Sequence, residues 1–273
     1  LLNKKVLEYS KLAFLLTRQL EGDPVAQKIR FMIDGWKSNM PCIMDLGNPA
    51  MKDRHRNKIR CAIGMGSKEM VLLSLTNHNI FDHKELVAEI SGIASGEFGL
   101  QMQLEKVVNA WNDLTLPLLN HRNQRDLYIL GDVTEMIAQL EDHSVQVQTM
   151  MGSRFVAGIR KEVETWEQKI RLASDTVDEW LQVQRAWMYL ESIFSAEDIQ
   201  RQLPVESQKF KGVDKFWRDC FKKVRSSTYK TAMEAFHIPN LLTGLKNANE
   251  TLDQIQKSLE AYLETKRAAF PRF

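Results

Sequence analysis

Three short stretches of this 273-residue chain combine residue types that can do chemistry. The run GMGSKEM at residues 64–70 has the glycines, serine and lysine of a phosphate loop, where backbone N–H groups at a helix start cradle an anion. It does not satisfy G-x-x-x-x-G-K-[ST] and no strong strand precedes it, so it reads as a turn with two glycines. HNIFDH at residues 78–83 offers His78, Asp82 and His83 as metal donors. It lacks the H-E-x-x-H spacing that aims two histidines from one helix face, and no cysteine lies near it, so it reads as a solvated loop and helix start. In EDH, residues 141–143, like charges share a helix face, and no recognisable motif pairs them with a serine or cysteine nucleophile. Glu197 and Asp198 are explained by the favourable first-turn dipole of a helix. No catalytic, cofactor-binding or metal site is expected.

The strongest pattern is aromatic. Trp166, Trp180 and Trp187 share one heptad position, Ala173 fills the gap between the first two, and Phe194 continues the series. An indole stripe at this spacing is a packing seam, because each ring buries a large apolar area while its N–H reaches the helix boundary. A cofactor box would need convergent polar groups, and none accompany the indoles. A second seam runs Val163, Ile170, Val177 and then turns polar at Gln184 and Glu191.

These residues require long helices to position them. Leu2, Val6, Tyr9, Ala13, Leu16 and Leu20 mark a first helical face that ends at Gly22. Asp23-Pro24 supplies a cap and a first-turn proline for a second helix, with Val25, Ile29, Met32, Ile33 and Trp36 on one face to about residue 39. Asn48-Pro49 repeats that start and predicts a helix to about residue 63. Residues 64–83 read as a loop with one short helix at 69–75. The next helical face, Leu86 to Trp111, contains Gly92, Gly96 and Gly99, each costing about 1 kcal/mol relative to alanine, which predicts a break or bend. The run TLPLLNHRNQRDLYIL predicts one hairpin near residues 114–130, with Pro117 on an edge strand. Asp132 with Glu135 predicts a capping box for a helix that Gly152 ends. The tryptophan helix is expected over residues 153–194, and Ser195 with Asp198 as the cap of the next. Pro204 interrupts, Phe210, Val213, Trp217, Cys220, Phe221 and Val224 form a further face, and a last helix follows Pro239.

The expected fold class is therefore all-α, an elongated multi-helix rod of packed bundles with one small β-hairpin, divided into residues 1–152 and 153–273. Composition agrees: 44% hydrophobic and 26% charged residues exclude wholesale disorder. A formal charge of +2 gives no electrostatic reason to expect nucleic acid or an anionic membrane as partner. No apolar run approaches the ~20 residues of a membrane span. Three scattered cysteines fit reduced thiols rather than a disulfide framework. The chain opens inside a helical pattern without an initiator methionine, which reads as an internal fragment.

The stretch EWLQVQRAWMYLESIFSAEDIQRQLPVESQKFKGVDKFWRD at residues 179–219 resembles the linker of dynein heavy chains. LGNPAMKDRH, WNDLTLPLL, YILGDVTEMIAQLEDH, VQTMMGSRFV and LDQIQKSLEAYLETKRAAFPRF resemble the same family in the same order. FSAEDI is similar in spacing to axonemal members. The resemblance implies a non-catalytic lever that transmits ATP-driven change in an AAA+ ring of the same heavy chain into microtubule-based movement. The ATP and magnesium sites would lie in that ring, other dynein subunits and microtubules would be reached through the parent chain, and the location would be a ciliary or flagellar axoneme. The N-terminal part would be linker helical subdomains and residues 153–273 a long-helix bundle stopping before the ring. A lever must yield at a defined place, and Gln184, Glu191, Ser195 and Pro204, where the seam turns polar and the helix breaks, are the candidate hinge. The alternative is a non-motor, spectrin-like scaffold binding partner helices, against which the irregular helix lengths and the absence of a constant repeat weigh.

Overall fold

The computed structural model describes residues 2–66, 70–123, 126–226 and 228–269. Among them are eleven α-helices and one two-stranded antiparallel sheet, the expected class. The chain divides into two compact units, residues 1–101 and 102–273, each with its own packing.

In the first unit α1 (Leu2–Gln19) folds back on α2 (Pro24–Leu46) through Gly22, whose φ of 84° lies in the left-handed region. Asp23 caps α2 as expected: its Oδ1 accepts from the N–H groups of Val25 and Ala26 at 2.8 and 2.9 Å. The helix outruns its expected end at residue 39 and continues through Pro41. Met40 and Cys42 flank that proline in the core, and their burial offsets the hydrogen bond it removes. Asn48-Pro49 does not start a helix. Asn48 instead sits in the turn after Gly47, and α3 (Asp53–Ala62) begins four residues beyond Pro49. The Asn48 amide is used elsewhere, donating to Ser91 Oγ at 2.9 Å and Ser95 Oγ at 2.8 Å. The short helix α4 (Leu72–Asn77) follows; residues 67–69, including the expected start at Glu69, lie outside the described residues.

The helix α5 (Lys84–Ala110) runs unbroken for 27 residues, so the predicted glycine break is absent. Val87, Ile90 and Ala94 anchor it in a core with Ile59, Leu75 and Ile80. Its small residues accept the polar 48–55 segment: besides Asn48 on Ser91 and Ser95, Lys52 Nζ donates to Gln101 Oε1 at 2.7 Å and Arg54 pairs with Glu97. These contacts and the core outweigh the intrinsic cost of glycine in a helix.

In the second unit β1 (Leu118–Asn120) pairs with β2 (Tyr128–Leu130), Leu119 opposite Ile129, so the hairpin forms within its expected range. The helix α6 (Thr134–Met151) ends at Gly152 as expected. Its cap position is Val133 rather than Asp132. Asp132 Oδ1 accepts from Thr134 N–H at 2.9 Å, one residue out of step with a capping box, and the Thr134 hydroxyl together with that N–H holds its carboxyl below the usual range. The tryptophan helix α7 (Arg160–Phe194) starts later than residue 153, because residues 153–159 are taken up by turns. It is 35 residues long, about 50 Å at 1.5 Å per residue. Ser195 closes α7 and does not cap α8 (Glu197–Gln202): its hydroxyl donates back to Ser192 O at 2.8 Å. Pro204 stands at the first position of α9 (Pro204–Val224), where its missing N–H costs nothing. The short α10 (Ala232–Phe236) carries a Thr231–Glu234 capping box. The final α11 (Leu241–Ala269) buries Leu245, Ala248, Leu252, Ile255 and Leu259. Helix α7 packs on α6, α9, α10 and α11, and α11 also packs on α9.

Two glycines in helix interiors have opposite surroundings. Gly99 is exposed, and a methyl added there would meet nothing within 4 Å. At Gly244 the same methyl would lie 2.5 Å from the Phe216 ring, where α11 crosses α9. Gly99→Ala is expected to raise unfolding free energy by about 0.5–1 kcal/mol. Gly244→Ala is expected to lower it by about 1–3 kcal/mol, both read from urea denaturation.

Candidate functional site

The heptad seam of α7 meets a second aromatic series on α9. Phe194 stacks on Phe210 with centroids 5.4 Å apart, and Trp187 stacks on Trp217 at 5.3 Å, each pair tilted by 15°. Trp180 lies against Phe221 at 5.5 Å, and Phe221 meets Trp217 edge-on at 5.0 Å. The partners advance along α9 as they retreat along α7, so the two helices run antiparallel; the steps on α7 are seven and seven, those on α9 seven and four. Trp180, Trp187 and Trp217 are fully buried and Phe194 nearly so. Trp166, the first member, is only half-buried and lies outside this ladder, with Lys169 Nζ 4.9 Å above its ring. Ladder indoles beside a polar group use it: Trp187 Nε1–H donates to Asp214 Oδ1 at 3.2 Å, and Trp217 Nε1–H to the Tyr128 carbonyl at 3.1 Å.

The candidate hinge residues Gln184 and Glu191 lie inside the continuous helix α7, where they hold the hairpin. The Gln184 side-chain amide accepts from Leu130 N–H at 2.7 Å and donates to Leu130 O at 2.9 Å. It thus pairs with β2 as a third strand's backbone would, satisfying an edge that would otherwise be bare. Glu191 Oε2 lies 3.0 Å from Arg122 Nη1 and 3.6 Å from His121 Nε2, off the line of a hydrogen bond in both cases. Arg122 adopts φ 49°, ψ 34°, the left-handed conformation that a non-glycine residue takes only when its surroundings hold it there. The His121 ring meets Trp187 edge-on at 5.3 Å, and the Arg225 guanidinium lies 4.3 Å over the Tyr128 ring. The hairpin is therefore clasped from α7 by Gln184, Glu191 and Trp187 and from the α9 end by Trp217 and Arg225. Sequence reasoning missed this clasp. The available signal was two polar residues seven apart continuing an apolar seam, which also fits a solvated or yielding stretch. The other two hinge candidates, Ser195 and Pro204, bracket the interruption between α7 and α9. There α8 buries none of its residues, and Gln200 Nε2 donates to Phe194 O at 2.6 Å.

The chemical stretches resolve differently. His143 is buried and accepts the Trp111 indole N–H on Nδ1 at 2.9 Å, which leaves the ring proton of its neutral form on Nε2. Glu141 and Asp142 beside it are exposed. His78 Nδ1 lies 2.8 Å from Ser74 O, a bond within its own turn. Among the described residues no group of three or more His, Cys, Asp and Glu side chains is arranged to hold a metal. The lysine and serine of the glycine-rich turn lie outside the described residues. In the first unit His55 accepts from Lys52 N–H on Nδ1 at 3.1 Å and turns Nε2 toward Glu97 Oε2 at 3.0 Å. Burial pushes the Cys220 thiol up to about 12, so it stays protonated and packs as an apolar group.

Burial lowers the proton affinity of both the His55 and His143 imidazoles, with Glu97 and Asp142 respectively opposing the shift. A base held neutral in the fold and free to protonate when unfolded stabilises the fold fully above its ordinary value of about 6.5. That contribution is lost as pH falls from there through the lowered folded value. Unfolding free energy is expected to decline between pH 7.5 and 5.5. His143→Gln, which keeps an acceptor for Trp111, is expected to flatten the decline, as urea titrations at the two pH values will register.

Gln184→Leu removes both hydrogen bonds to Leu130 while keeping the side-chain bulk. It is expected to cost about 1–3 kcal/mol and to raise hydrogen exchange in residues 118–130 more than in α11. Equal exchange across both would deny the clasp.

Comparison with known proteins gives a consistent result. The family described as "Dynein heavy chain, N-terminal region 2" matches residues 1–273. The chain is 38% identical over 276 aligned residues to Dynein axonemal heavy chain 6 of Homo sapiens, covering 100% of this chain and 7% of that protein. It is 34% identical to Dynein axonemal heavy chain 1 of Mus musculus, again over 100% of this chain and 6% of the relative. It is 35% identical to Dynein axonemal heavy chain 2 of Mus musculus over 91% of this chain and 6% of that protein. The chain thus spans a small fraction of the length of the relatives it matches. Among the described residues no helix is long and apolar enough to cross a membrane.

Proposed function

The chain belongs to the dynein heavy chains, as their N-terminal region 2, and from that premise we propose that it is a non-catalytic mechanical linker of an axonemal motor. In this reading it receives an ATP-driven change from an AAA+ ring elsewhere in the same heavy chain and passes it on as microtubule-based movement in a cilium or flagellum. The ATP and magnesium sites, and contacts with other dynein subunits and microtubules, would belong to the rest of that chain.

The observation that carries the lever reading is the registered aromatic ladder. A helix transmits force without dissipating it when its neighbours cannot slide, and the two stacked pairs, Phe194 on Phe210 and Trp187 on Trp217, resist sliding because one shift unstacks both together. The clasped hairpin adds a cross-brace between α7 and the α9 end, through Gln184 on one side and Trp217 on the other. The yield point is assigned to residues 195–203, between Ser195 and Pro204. There the backbone leaves the helix twice, α8 contributes nothing to the core, and Leu203 takes φ −126°, ψ 64°. Gln184 and Glu191 act as clasps that keep α7 straight up to that point. Packed elements joined in this way move between discrete arrangements rather than bending smoothly.

The test is two glycines inserted between Ser195 and Ala196 in the full heavy chain, with melting behaviour as a control for folding. ATP turnover is expected to stay within about twofold, while microtubule gliding velocity falls severalfold. Unchanged gliding, or gliding and turnover that fall together, would sink the lever assignment.

A further inference from the structure

The cleft between α8 and the start of α9 holds polar groups that neither the core nor the hairpin uses. It measures about 410 Å³, with Glu197, Gln200 and Arg201 on one wall and Ser207, Gln208 and Lys211 on the other. Ser207 is only 5% exposed, and its hydroxyl makes no hydrogen bond among the described residues. The usual acceptor for a helical serine, the carbonyl four residues back, already takes the Ser207 N–H at 2.9 Å on Leu203 O. A buried hydroxyl ordinarily has a partner, and the open cleft is where the partner of this one would sit. The donors around it select an anion. Lys211 follows Ser207 by one helical turn on the same wall. The first turn of α9 adds the N–H groups of Val205 and Glu206, since Pro204 has none and Ser207 spends its own on Leu203. The carboxylate of the lining, Glu197, pairs with Arg201 at 3.1 Å, and the Gln200 amide is engaged on Phe194 O.

Helix α9 carries the positive charge beyond the cleft. It has six cations against three carboxylates, in a chain whose formal charge is +2. Lys211, Lys215, Arg218 and Lys222 follow at steps of four, three and four, one stripe turned away from the buried face of the helix. Asp214 and Asp219 flank it and pair with Arg218 at 2.8 Å and Lys222 at 3.5 Å. Lys211 and Lys215 are left without an ion-pair partner among the described residues. We propose that cleft and stripe together bind an acidic peptide segment of a partner protein. One carboxylate is seated on Ser207 and Lys211, and those that follow lie along Lys215 to Lys222. Charge complementarity sets the chemistry, and spacing favours an extended chain. Alternate side chains of a strand stand about 7 Å apart on one side, close to the ~5–6 Å between successive cations. A nucleic acid needs rings on which its bases stack, whereas the aromatic residues of α9 face the core or, as Phe216, lie against α11. Seated there, the peptide ties α8 to α9 across Leu203; its binding is read directly and does not depend on the lever reading.

The experiment uses the full heavy chain and a fluorescent peptide of alternating glutamate and glycine, with binding followed by anisotropy and folding controlled by melting curves. Ser207→Ala leaves the charge unchanged and is expected to weaken binding about fivefold, the worth of one partly exposed hydrogen bond to a charged group. Lys211→Gln is expected to weaken it at least as much. Lys161→Gln removes the same charge from an exposed position at the other end of α7 and is expected to leave binding unchanged. Equal losses in Lys161→Gln and Lys211→Gln would reduce the effect to diffuse attraction and overturn the proposal. Wild-type affinity in Ser207→Ala, no binding by the wild-type chain, or tighter binding of a single-stranded oligonucleotide of equal charge would each overturn it as well.

Discussion

Trp187 and Trp217 lie face to face, and much of the second unit follows from that stack. The ring of Trp187 also receives the edge of His121, while its N–H reaches Asp214. Trp217 meets Phe221 edge-on and sends its N–H to the hairpin backbone at Tyr128. One buried pair therefore fixes the register of α7 against α9 and the position of the hairpin against both. Aromatic pairs add about 0.5–1.5 kcal/mol beyond the area they bury, but here register matters more than magnitude. Sliding one helix by a turn would unstack Phe194 from Phe210 and strand the polar partners at the same time.

The polar residues of the seam complete what the rings begin. A two-stranded hairpin is marginal on its own, and each of its strands has an edge without a strand partner. Gln184 supplies both a donor and an acceptor to one such edge, and Glu191 faces the strained corner at Arg122 from 3.0 Å. Substituting apolar residues at these positions would extend the seam and leave the hairpin backbone unsatisfied. The core is not indifferent to cost, however. Trp180 Nε1 is buried with no acceptor among the described residues, so the ladder position is kept despite an unpaid polar group.

The first unit is built by a different device. Its apolar core around Ile59, Ile80 and Val87 is modest, and the segment leading into α3 is sewn to α5 by side-chain hydrogen bonds and ion pairs. Ser91 and Ser95 on α5 receive that segment through the Asn48 amide. In the same unit Trp36 of α2 meets Phe81 edge-on at 6.4 Å, while Val25, Phe31 and Met32 stay exposed.

Periodicity by itself determined the helical class, the location of the hairpin, the Asp23-Pro24 start, and which faces of α9 and α11 turn inward. These depend on spacing along one element, and spacing is what a sequence displays. The motif block at residues 179–219 also carried the family resemblance without any coordinates. Tertiary structure alone decided which seam meets which. Nothing in the α7 or α9 pattern names the other as its partner, because an apolar stripe specifies burial and not identity. It also decided where local signals lose. Glycines that should break α5 are overruled by the contacts made along it, and Pro41 continues a helix because its neighbours are core residues. Asn48 trades a helix cap for two serine hydroxyls more than forty residues away. Gln184, Glu191 and His143 were polar letters on apolar faces. Only long-range contacts, with Leu130, Arg122 and Trp111, give them their roles, since a hydrogen bond between distant segments leaves no period in the sequence.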